Sequence, residues 1–458
     1  MTIENIAAAC EGTFVGDRAL VTKEIAGAVT DSRQVQKDYL FIPIKGARVD
    51  GHDFIPQVFE KGALVVLSDH ALPEETGPYI LVSSTTEAMK KIAAFYRTQL
   101  SCKVVGITGS VGKTSTKEMI ASVLEQRYKV LKTEGNFNNE IGLPLTIFKI
   151  RAKHEVAVLE MGISDFGEMH RLAAMARPDI GVITNIGLCH LENLGTRDGI
   201  LQAKTEMFDH LQVDGTVILN GDDDKLSTKK EVNGKPVIFY GVGADSAFDI
   251  KKDIYATDIE NHGLEGMRAK IHTPQGDFDA QIPIPGEHNV YNALAGTAVG
   301  LQLGLSIREI AQGIASVQTI AGRTNLLHVK GMTVIDDCYN ANPVSMKASI
   351  DVLAHTSGRR IAVLGDMGEL GAEEKELHRN IGKAVAASGI DALFCAGTLA
   401  EEYASEAKAN PECEVHYKKT REEMTEELLA YVKEGDTVLV KASHFMEFPK
   451  VVEALTKE

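Results

Sequence analysis

The chain has 458 residues, of which 44% are hydrophobic and 24% are charged, and its formal net charge is −16 at pH 7. This composition is typical of a globular protein, and the length exceeds one hydrophobic core, so we expect about two to four domains. The acidic balance argues against a nucleic-acid-binding protein and against docking on anionic membranes, while leaving room for a local basic pocket.

The cysteines and the N-terminal segment predict the compartment. The six cysteines are scattered without a C-x-x-C pair, which favours free thiols over a zinc site or a disulfide framework. The opening M-T-I-E-N-I-A-A-A-C lacks the basic segment of a secretory signal, and no apolar stretch of the sequence approaches membrane-spanning length. We therefore expect a cytoplasmic protein that does not insert into a membrane.

Residues 1 to about 85 are predicted to form a small separate unit, with strands at 39–44 and 64–67. Two polar clusters stand out in it, T-D-S-R at 30–33 and K-G-A-R-V-D-G-H-D at 45–53. Both contain hydroxyl, basic or glycine residues of the kinds that bind phosphate or ribose. Each cluster is also consistent with a solvated turn.

A helical pattern at 88–100 connects this unit to a second region, in which strands and helices alternate from Lys103 to about Val317. Such alternation is typical of a mainly parallel sheet covered by helices. We predict strands at 103–108, 155–160, 180–184 and 216–219, and helices at 113–126, 167–176 and 196–211. Residues 236–285 break the rhythm with short alternating segments and turns, which indicates antiparallel hairpins.

The region from about Gly322 is predicted to be a second doubly wound α/β unit. Its strands are predicted at 333–336, 360–364, 392–395 and 437–440. A helix is expected to begin at Pro343, after Asn342. Just upstream of this unit, Ser306 and Glu309 form the S-x-x-E capping box of another helix.

The segment V-V-G-I-T-G-S-V-G-K-T-S-T at 104–116 carries the strongest functional signal. It predicts a buried strand, then a glycine turn whose N–H groups point into one hollow at the start of a helix. T-G-S-x-G-K-T is a tighter variant of the common phosphate loop, so we expect Lys113 to bind phosphates and Thr114 to bind Mg²⁺. The expected phosphate-binding residues are Gly109, Ser110, Val111, Gly112, Lys113, Thr114 and Ser115.

Three further side chains of this region are candidates for a metal site. Glu160 ends a predicted strand beside the phosphate loop, where a carboxylate binds Mg²⁺ directly or through water; a surface glutamate is the alternative. His190 would lie on the same rim, although a lone histidine is more often structural. Lys204 is most simply a lysine whose charged end reaches water. Its neutral amine could instead react with CO₂ to give a metal-binding carbamate, which the residue pattern alone does not suggest.

Polar residues near the start of one helix and at the junction with the last unit complete the candidates. Asn292 offers an amide that can pair with adenine, and Asn289 could do the same or cap the helix. Arg323 could reach a γ-phosphate across an interdomain cleft. D-D-C-Y-N-A-N-P at 336–343 offers a carboxylate for ribose hydroxyls, and the loops after the neighbouring strands would face the same cleft.

Taken together, the motifs resemble those of the Mur ligases, in the same order and over nearly the whole chain. They are T-G-S-V-G-K-T-S, E-G-N-F-N-N-E-I-G-L-P, E-M-G, N-I-G-L-C-H-L-E, A-K-T-E, H-N-V-Y-N-A and D-D-C-Y-N-A-N-P. The polar clusters at 30–33 and 45–53 belong to the same resemblance. The chain departs at K-A-S-H-F-M, where the family usually has K-G-S-x-S-M, which leaves the roles of Ser443 and His444 open.

The resemblance implies an α/β fold with three domains. These are a small UDP-binding domain at 1–98, a central ATP-binding domain with a mainly parallel sheet at 99–318, and a C-terminal Rossmann-like domain at 319–458.

The resemblance also implies roles for individual residues. ATP and two Mg²⁺ ions are the implied cofactors, with one ion at Thr114 and Glu160 and the other at His190 and carbamylated Lys204. The other implied contacts are Asn292 to adenine, Asp337 to ribose and Arg323 to the γ-phosphate, and the implied catalytic residues are Lys113, Glu160, His190, Lys204 and Arg323. The implied substrate-binding residues are Ser32, Arg33, Lys45, Gly46, Arg48, Asn138, Asn139, Tyr339 and Asn340.

The implied activity is ATP-dependent amide formation in peptidoglycan precursor synthesis, and hence in cell-wall growth and division. ATP would phosphorylate the carboxylate of UDP-N-acetylmuramoyl-tripeptide, and the amine of D-alanyl-D-alanine would attack the acyl phosphate. The enzyme is expected to be a monomer with no nucleic-acid partner. The alternatives are an amino-acid-adding or folylpolyglutamate-type ligase, a phosphate-loop kinase of small molecules, and a nucleotide-gated binding protein without turnover.

Overall fold

The computed structural model describes residues 1–457 and has an α/β fold with three large sheets, each built from a successive part of the chain. A two-stranded ribbon of β11 Glu231–Val232 and β12 Lys235–Pro236 is separate from them. The predicted α/β class with several mainly parallel sheets is confirmed. The domain boundaries at 98 and 318 remain a prediction.

The first sheet has five strands in the order β1-β5-β4-β3-β2, and only the β1–β5 pairing is antiparallel. The strand expected at 39–44 is shorter, because Pro43 has no N–H to continue the ladder. The elements of this part are α1 Ile3–Ala9, β1 Thr13–Val15, β2 Gly27–Val29, β3 Tyr39–Phe41, α2 Ile55–Glu60, β4 Val65–Ser68, β5 Tyr79–Leu81 and α3 Thr85–Thr98.

Helix α3 attaches the first sheet to the next part of the chain. Ser84 caps it by accepting a hydrogen bond from the N–H of Glu87. Its buried residues Met89 and Ile92 belong to an apolar cluster that also contains Phe148 from the middle region. The first two sheets therefore share one hydrophobic core.

The middle sheet has nine strands in the order β16-β15-β14-β13-β10-β9-β6-β8-β7. Strand β6 lies between β8 and β9, parallel to both, and the antiparallel hairpins expected within 236–285 are formed by β14, β15 and β16. Its strands are β6 Lys103–Thr108, β7 Val130–Lys132, β8 Val156–Glu160, β9 Ile180–Ile183, β10 Thr216–Asn220, β13 Ile238–Val242, β14 Ile254–Asn261, β15 Met267–Thr273 and β16 Gly276–Ile282; the ribbon is β11 Glu231–Val232 and β12 Lys235–Pro236.

The helices of the middle region are α4 Lys113–Leu124, α5 Gly142–Ile147, α6 Glu168–Ala176, α7 Leu191–Leu194, α8 Arg197–Thr205, α9 His288–Gln302 and α10 Ile307–Ala315. The prediction of one helix over 196–211 was wrong, because α8 ends at Thr205 and a 3-10 turn follows at Glu206–His210. The Thr205 hydroxyl donates to the Leu201 carbonyl, a bond that competes with regular helix geometry. The capping box of Ser306 and Glu309 is confirmed.

The last sheet has six strands in the order β17-β18-β22-β19-β20-β21, parallel except for the β17–β18 hairpin, which the sequence reading missed. Its strands are β17 Asn325–Val329, β18 Met332–Asp336, β19 Arg359–Gly365, β20 Ala392–Ala396, β21 Glu414–Lys418 and β22 Asp436–Lys441. Its helices are α11 Pro343–Ala354, α12 Glu374–Ala387, α13 Ala400–Ala407, α14 Arg421–Tyr431 and α15 Pro449–Thr456. Within residues 1–457, no helix combines the length and the apolar character that crossing a bilayer requires.

Candidate active site

The phosphate loop lies between the end of β6 and the start of α4. Gly112 precedes α4 with φ +82°, a left-handed conformation that suits glycine, and it has no side chain to cap the first helical N–H groups. The Val111 carbonyl accepts hydrogen bonds from Thr184 Oγ1 at 2.7 Å and from Asn185 Nδ2 at 3.0 Å. The loop is thus held from the end of β9, and the positive end of α4 is left to face an anion.

Lys113 follows the glycine turn as the first residue of α4, and it lines a cavity together with His190. Its Nζ donates to the Gly109 carbonyl at 2.9 Å. Burial lowers the pKa of Lys113, and the nearby carboxylate of Glu160 opposes that shift. The positive charge of Arg323, at the start of the last region, adds to the lowering of this pKa.

Glu160 ends β8 and has one carboxylate oxygen without a protein partner. Its Oε1 accepts a hydrogen bond from Asn138 Nδ2 at 2.8 Å. Its Oε2 is buried and has no hydrogen-bond partner among residues 1–457, and the nearest cation is Lys117 Nζ at 3.9 Å. A buried carboxylate oxygen with free lone pairs is the kind of ligand that Mg²⁺ prefers.

Lys204 and His190 form the second candidate metal pair. Lys204 is 1% exposed and has no carboxylate within ion-pair distance in the described chain. Burial, with the charge of Lys113, lowers the pKa of Lys204 to about 7. Nδ1 of His190 lies 2.9 Å from Oε2 of Glu369 in the last region. Burial lowers the pKa of His190 despite that carboxylate, which favours the neutral, metal-binding imidazole.

A cavity of about 190 Å³ separates the phosphate loop from the last region of the chain. Asn292 lines it, but much of its amide is already bonded: Oδ1 accepts from Thr116 Oγ1 at 2.7 Å, and Nδ2 donates to Asn289 Oδ1 at 2.8 Å. Asn289 does not cap α9, because it is already the second residue of that helix; its Oδ1 is occupied by Asn292, and its Nδ2 donates to the Pro285 carbonyl. These bonds hold the Asn292 amide in one orientation at the cavity wall.

The opposite wall of the cavity carries Asp337 and Arg323. Lys441 Nζ lies 2.6 Å from Asp337 Oδ2, and the Ser349 hydroxyl donates to the same oxygen at 2.5 Å. Burial alone would raise the pKa of Asp337, yet Lys441 and Ser349 hold it below its usual value. The Arg323 guanidinium lies 4.1 Å from the centre of the Tyr339 ring, and this stacking fixes its direction.

A second cavity of about 320 Å³ adjoins the first on the side of Lys113 and His190. Asn340 and Glu369 line its other side. The Ser443 hydroxyl accepts from the N–H of Gly368 at 2.9 Å and donates to the Ala341 carbonyl at 3.3 Å. Ser443 therefore ties together the two loops that carry Glu369 and Asn340, a positioning role that the sequence left open.

The predicted substrate-binding residues fall into two groups. Asn138, Tyr339 and Asn340 lie with the groups described above, and Asn139 holds the turn into α5 by accepting from the N–H groups of Ile141 and Gly142. The others belong to the first sheet's loops and line neither of these two cavities; they are Ser32, Arg33, Lys45, Gly46 and Arg48. Arg33 is largely exposed and pairs with Asp31 at 2.8 Å.

Four residues that shape the site were not among the predicted site residues, although Glu369 and Lys441 lie in strand-end segments that were expected to face the cleft. Thr184 and Asn185 donate hydrogen bonds to the phosphate loop. Lys441 forms an ion pair with Asp337, and Glu369 contacts His190. All four lie at or just after the carboxyl ends of parallel strands, which is where ligands bind in open α/β sheets. The location of these residues at the site was therefore predictable, whereas their contact partners depend on which strands are neighbours in the sheets.

Comparisons with known proteins agree with this geometry. A family model described as the Mur ligase middle domain matches residues 107–300, the Mur ligase glutamate ligase domain matches 322–444, and the Mur ligase family catalytic domain matches 24–97. The chain is 39% identical to a UDP-N-acetylmuramoyl-tripeptide–D-alanyl-D-alanine ligase of Bacillus subtilis (strain 168), over 99% of this chain and 98% of the relative. The enzyme of that name from Escherichia coli (strain K12) is 34% identical, over 93% and 92%.

Solved structures give the same result. A crystal structure of MurF from Acinetobacter baumannii matches with a TM-score of 0.89 and 31% identity, covering 99% of this chain and 98% of that one. MurF ligase from Thermotoga maritima in complex with ADP matches with a TM-score of 0.80 and 31% identity, covering 94% and 96%. Three family models, relatives aligned over almost the full length and these structures lead to one conclusion: the chain belongs to the Mur ligase family.

Proposed function

We propose that this chain joins the terminal carboxylate of UDP-N-acetylmuramoyl-tripeptide to the amine of D-alanyl-D-alanine, using ATP, in peptidoglycan precursor synthesis. The relatives named for that reaction align over more than nine-tenths of the chain. The observation that carries the proposal is that the phosphate loop lines one cavity together with Arg323 and Asp337, while Lys113 lines the adjacent cavity with His190. This arrangement suits phosphoryl transfer from ATP to the peptide carboxylate of a nucleotide sugar bound by the first sheet.

ATP is assigned to the cavity beside the phosphate loop. The N–H groups at the start of α4 and the Lys113 ammonium would hold the phosphates. Asn292, fixed by Thr116, would meet the adenine, and Asp337 would meet the ribose. Arg323 would neutralise charge on the γ-phosphate, and its stacking on Tyr339 reduces the rotational freedom lost on binding.

The residues present fit two Mg²⁺ sites. Thr114 and Glu160, with its unpartnered Oε2, would hold one ion, and His190 with Lys204 would hold the other. Lys204 fits only as a carbamate, because an ammonium would repel the ion; its lowered pKa favours the neutral amine that reacts with CO₂. When bound, such ions neutralise phosphate charge and withdraw electrons from the phosphoryl group.

The chemistry follows from the poor reactivity of a carboxylate toward an amine. The peptide carboxylate attacks the γ-phosphorus, ADP departs, and an acyl phosphate forms. The free amine of the dipeptide then adds to the carbonyl carbon, and phosphate leaves as the amide forms. Lys113 and Arg323 stabilise the charge of the transferred group, and most of the rate enhancement comes from positioning and electrostatics.

The remaining assignments follow from the same proposal. The first sheet would bind the nucleotide sugar through Ser32, Arg33, Lys45, Gly46 and Arg48, while Asn139 and Asn340 would face the peptide and the incoming amine. We expect the enzyme to act as a monomer. Use of ATP and six unpaired cysteines suit the cytoplasm.

Mass spectrometry of the products tests the proposal. The full chain is incubated with MgATP, D-alanyl-D-alanine and UDP-N-acetylmuramoyl-tripeptide that carries either lysine or diaminopimelate at its third position. We expect UDP-N-acetylmuramoyl-pentapeptide and one ADP per product with at least one of the two substrates. ADP released without any condensed product would refute the ligase assignment and favour a kinase.

A further inference from the structure

The first sheet brings together histidine and aspartate side chains outside both cavities of the candidate active site. His52 lies in a 3-10 turn at Gly51–Phe54, and Asp69 and His70 directly follow β4. One ligand atom of each of these three residues lies within 4.8 Å of the others. Two separate loops therefore contribute potential metal ligands to one place.

The His52 ring lies between two carboxylates, an environment that favours a bound cation. Its side chain is 7% exposed; Nδ1 lies 2.7 Å from Asp50 Oδ1, and Nε2 lies 3.4 Å from Asp69 Oδ1. An ionised carboxylate only accepts hydrogen bonds, so Nδ1 carries the proton, and a neutral ring then has a lone pair on Nε2. Nε2 has no hydrogen-bond partner in the described part of the chain. A buried lone pair thus faces a carboxylate oxygen that also lies 2.7 Å from His70 Nδ1. A positive ion shared by the three groups would relieve the repulsion between the lone pair and the carboxylate.

The ligand atoms are held in place by local hydrogen bonds. Asp50 Oδ1 also accepts from the backbone N–H of His52 at 3.0 Å, which fixes the turn that carries the ring. The buried Ser68 hydroxyl donates to the His70 carbonyl at 2.6 Å and accepts from the His70 N–H at 3.3 Å. The turn at Asp69 and His70 is therefore built before any ion arrives, which lowers the ordering cost of binding.

We propose that His52 Nε2, the Asp69 carboxylate and His70 bind a divalent transition-metal ion of the Zn²⁺ type, with Asp50 orienting the His52 ring. Two imidazoles and one carboxylate suit Zn²⁺, whereas Mg²⁺ prefers oxygen ligands alone. A carboxylate on the far nitrogen of a metal-binding histidine is the usual outer partner of such a site. His70 and Asp69 are 57% and 40% exposed, so both can adjust to a shared ion and leave a position open to water.

Such an ion would connect the loop at 45–53 with the loop after β4. The polar cluster K-G-A-R-V-D-G-H-D ends at His52 and Asp53, so the ion would fix one end of the loop that we assign to the nucleotide sugar. The three ligands lie in loops of the first sheet, so ion binding does not depend on that assignment.

Cobalt absorption spectroscopy on the full chain tests the site. Chelator-treated protein without nucleotide is titrated with Co²⁺, which gives intense visible bands only at low coordination number, and Zn²⁺ is then added to displace it. We expect one equivalent of such Co²⁺, lost in His70→Ala and in Asp69→Asn, and a 10- to 100-fold weaker affinity in Asp50→Asn. His210→Ala is the matched control, because His210 pairs with His170 at 3.1 Å elsewhere on the surface; its bands should be unchanged.

His70→Ala and Asp69→Asn change exposed residues and leave the buried His52 intact, so we expect both variants to fold. Thermal unfolding of each variant checks that its transition matches that of the parent chain. Absence of the visible bands in the parent, or their persistence in both His70→Ala and Asp69→Asn, would overturn the proposal and leave a proton on His52 as the only cation between the two carboxylates.

Discussion

Nδ1 of His190 lies 2.9 Å from Oε2 of Glu369, a contact that joins the loop after β9 to the loop after β19. The two residues belong to different sheets, so the contact exists only while the middle and last regions are packed together. A carboxylate at Nδ1 favours the tautomer with its proton there, which leaves Nε2 free to bind metal. The affinity of the proposed second Mg²⁺ site is thereby coupled to closure of the cleft.

Glu369→Ala should therefore weaken this metal site. We expect the Mg²⁺ concentration for half-maximal ADP release to rise by about 10- to 100-fold, the usual cost of losing the outer partner of a metal-binding histidine. The measurement is the initial rate of product formation across a Mg²⁺ titration. Glu373→Ala removes an exposed carboxylate from the following turn and serves as the control. Equal Mg²⁺ dependence in Glu369→Ala and in the parent enzyme would show that the contact does not orient the ring.

Asn138→Ala should impair the first metal site, because Asn138 Nδ2 is the hydrogen-bond donor that orients the Glu160 carboxylate. We expect an increase of about 10-fold or more in the Mg²⁺ requirement, with a smaller change in the maximal rate at saturating Mg²⁺. The exposed Asn136 offers a matched control as Asn136→Ala. The opposite pattern, a large loss of maximal rate at an unchanged Mg²⁺ requirement, would place Asn138 on the substrate instead.

Lys204 should react with CO₂ above neutral pH. With its pKa lowered to about 7, roughly half of the amine is neutral at pH 7, whereas an ordinary lysine with a pKa of about 10.4 is neutral in fewer than about one molecule in 1,000. As the pH falls below 7, protonation removes most of the neutral amine that attacks CO₂, so the carbamate should decrease as the pH falls from 8 to 6.

Carbon-13 NMR with labelled bicarbonate measures this carbamate directly. We expect one carbamate resonance that is lost in Lys204→Arg and kept in Lys252→Arg, since Lys252 is equally buried but pairs with Asp222 at 2.5 Å. Activity should fall on removal of CO₂ and return with bicarbonate. A resonance that survives in Lys204→Arg would assign the carbamate to another amine.

Lys113→Ala should lower the rate of ADP formation dependent on both substrates by about 10²- to 10³-fold, because it removes a preorganised positive charge from the transferred phosphoryl group. Steady-state kinetics measure the loss, and Lys91→Ala on the outer face of α3 is the control for a change of surface charge. A Lys113→Ala enzyme with a near-parent rate would mean that the nucleotide binds elsewhere.

Most of the middle sheet was predictable, because buried parallel strands read as apolar runs. Strand β6 was predicted at its observed bounds, and the expected strand at 180–184 is one residue shorter in the structure. Short segments were harder to predict from the sequence. The hairpin of β17 and β18 was missed because polar and apolar residues do not alternate clearly in Asn325–Val329. The helix expected to run to Leu211 instead ends at Thr205, whose hydroxyl donates to the Leu201 carbonyl of the same helix.

Some residues of the candidate site were likewise predictable from the sequence, and others were not. Gly109 to Thr114 could be predicted because the loop is continuous in sequence and its glycines, lysine and hydroxyl have fixed roles. Glu369 and Lys441 could not be assigned, because their partners lie 179 and 104 residues away and are set by strand order and cleft closure. The proposed roles of His190 and Lys204 rest on the family resemblance, because the residue pattern alone would have left both as structural residues.

Transfer of phosphate to the peptide carboxylate is the central step of the proposed reaction. That step is measured with UDP-N-acetylmuramoyl-tripeptide whose terminal carboxylate carries oxygen-18, incubated with the enzyme, MgATP and D-alanyl-D-alanine. The acyl phosphate predicts that one labelled oxygen appears in inorganic phosphate for each amide formed, because the carboxylate oxygen bound to phosphorus leaves with it. Amide product accompanied by unlabelled phosphate would contradict the mechanism.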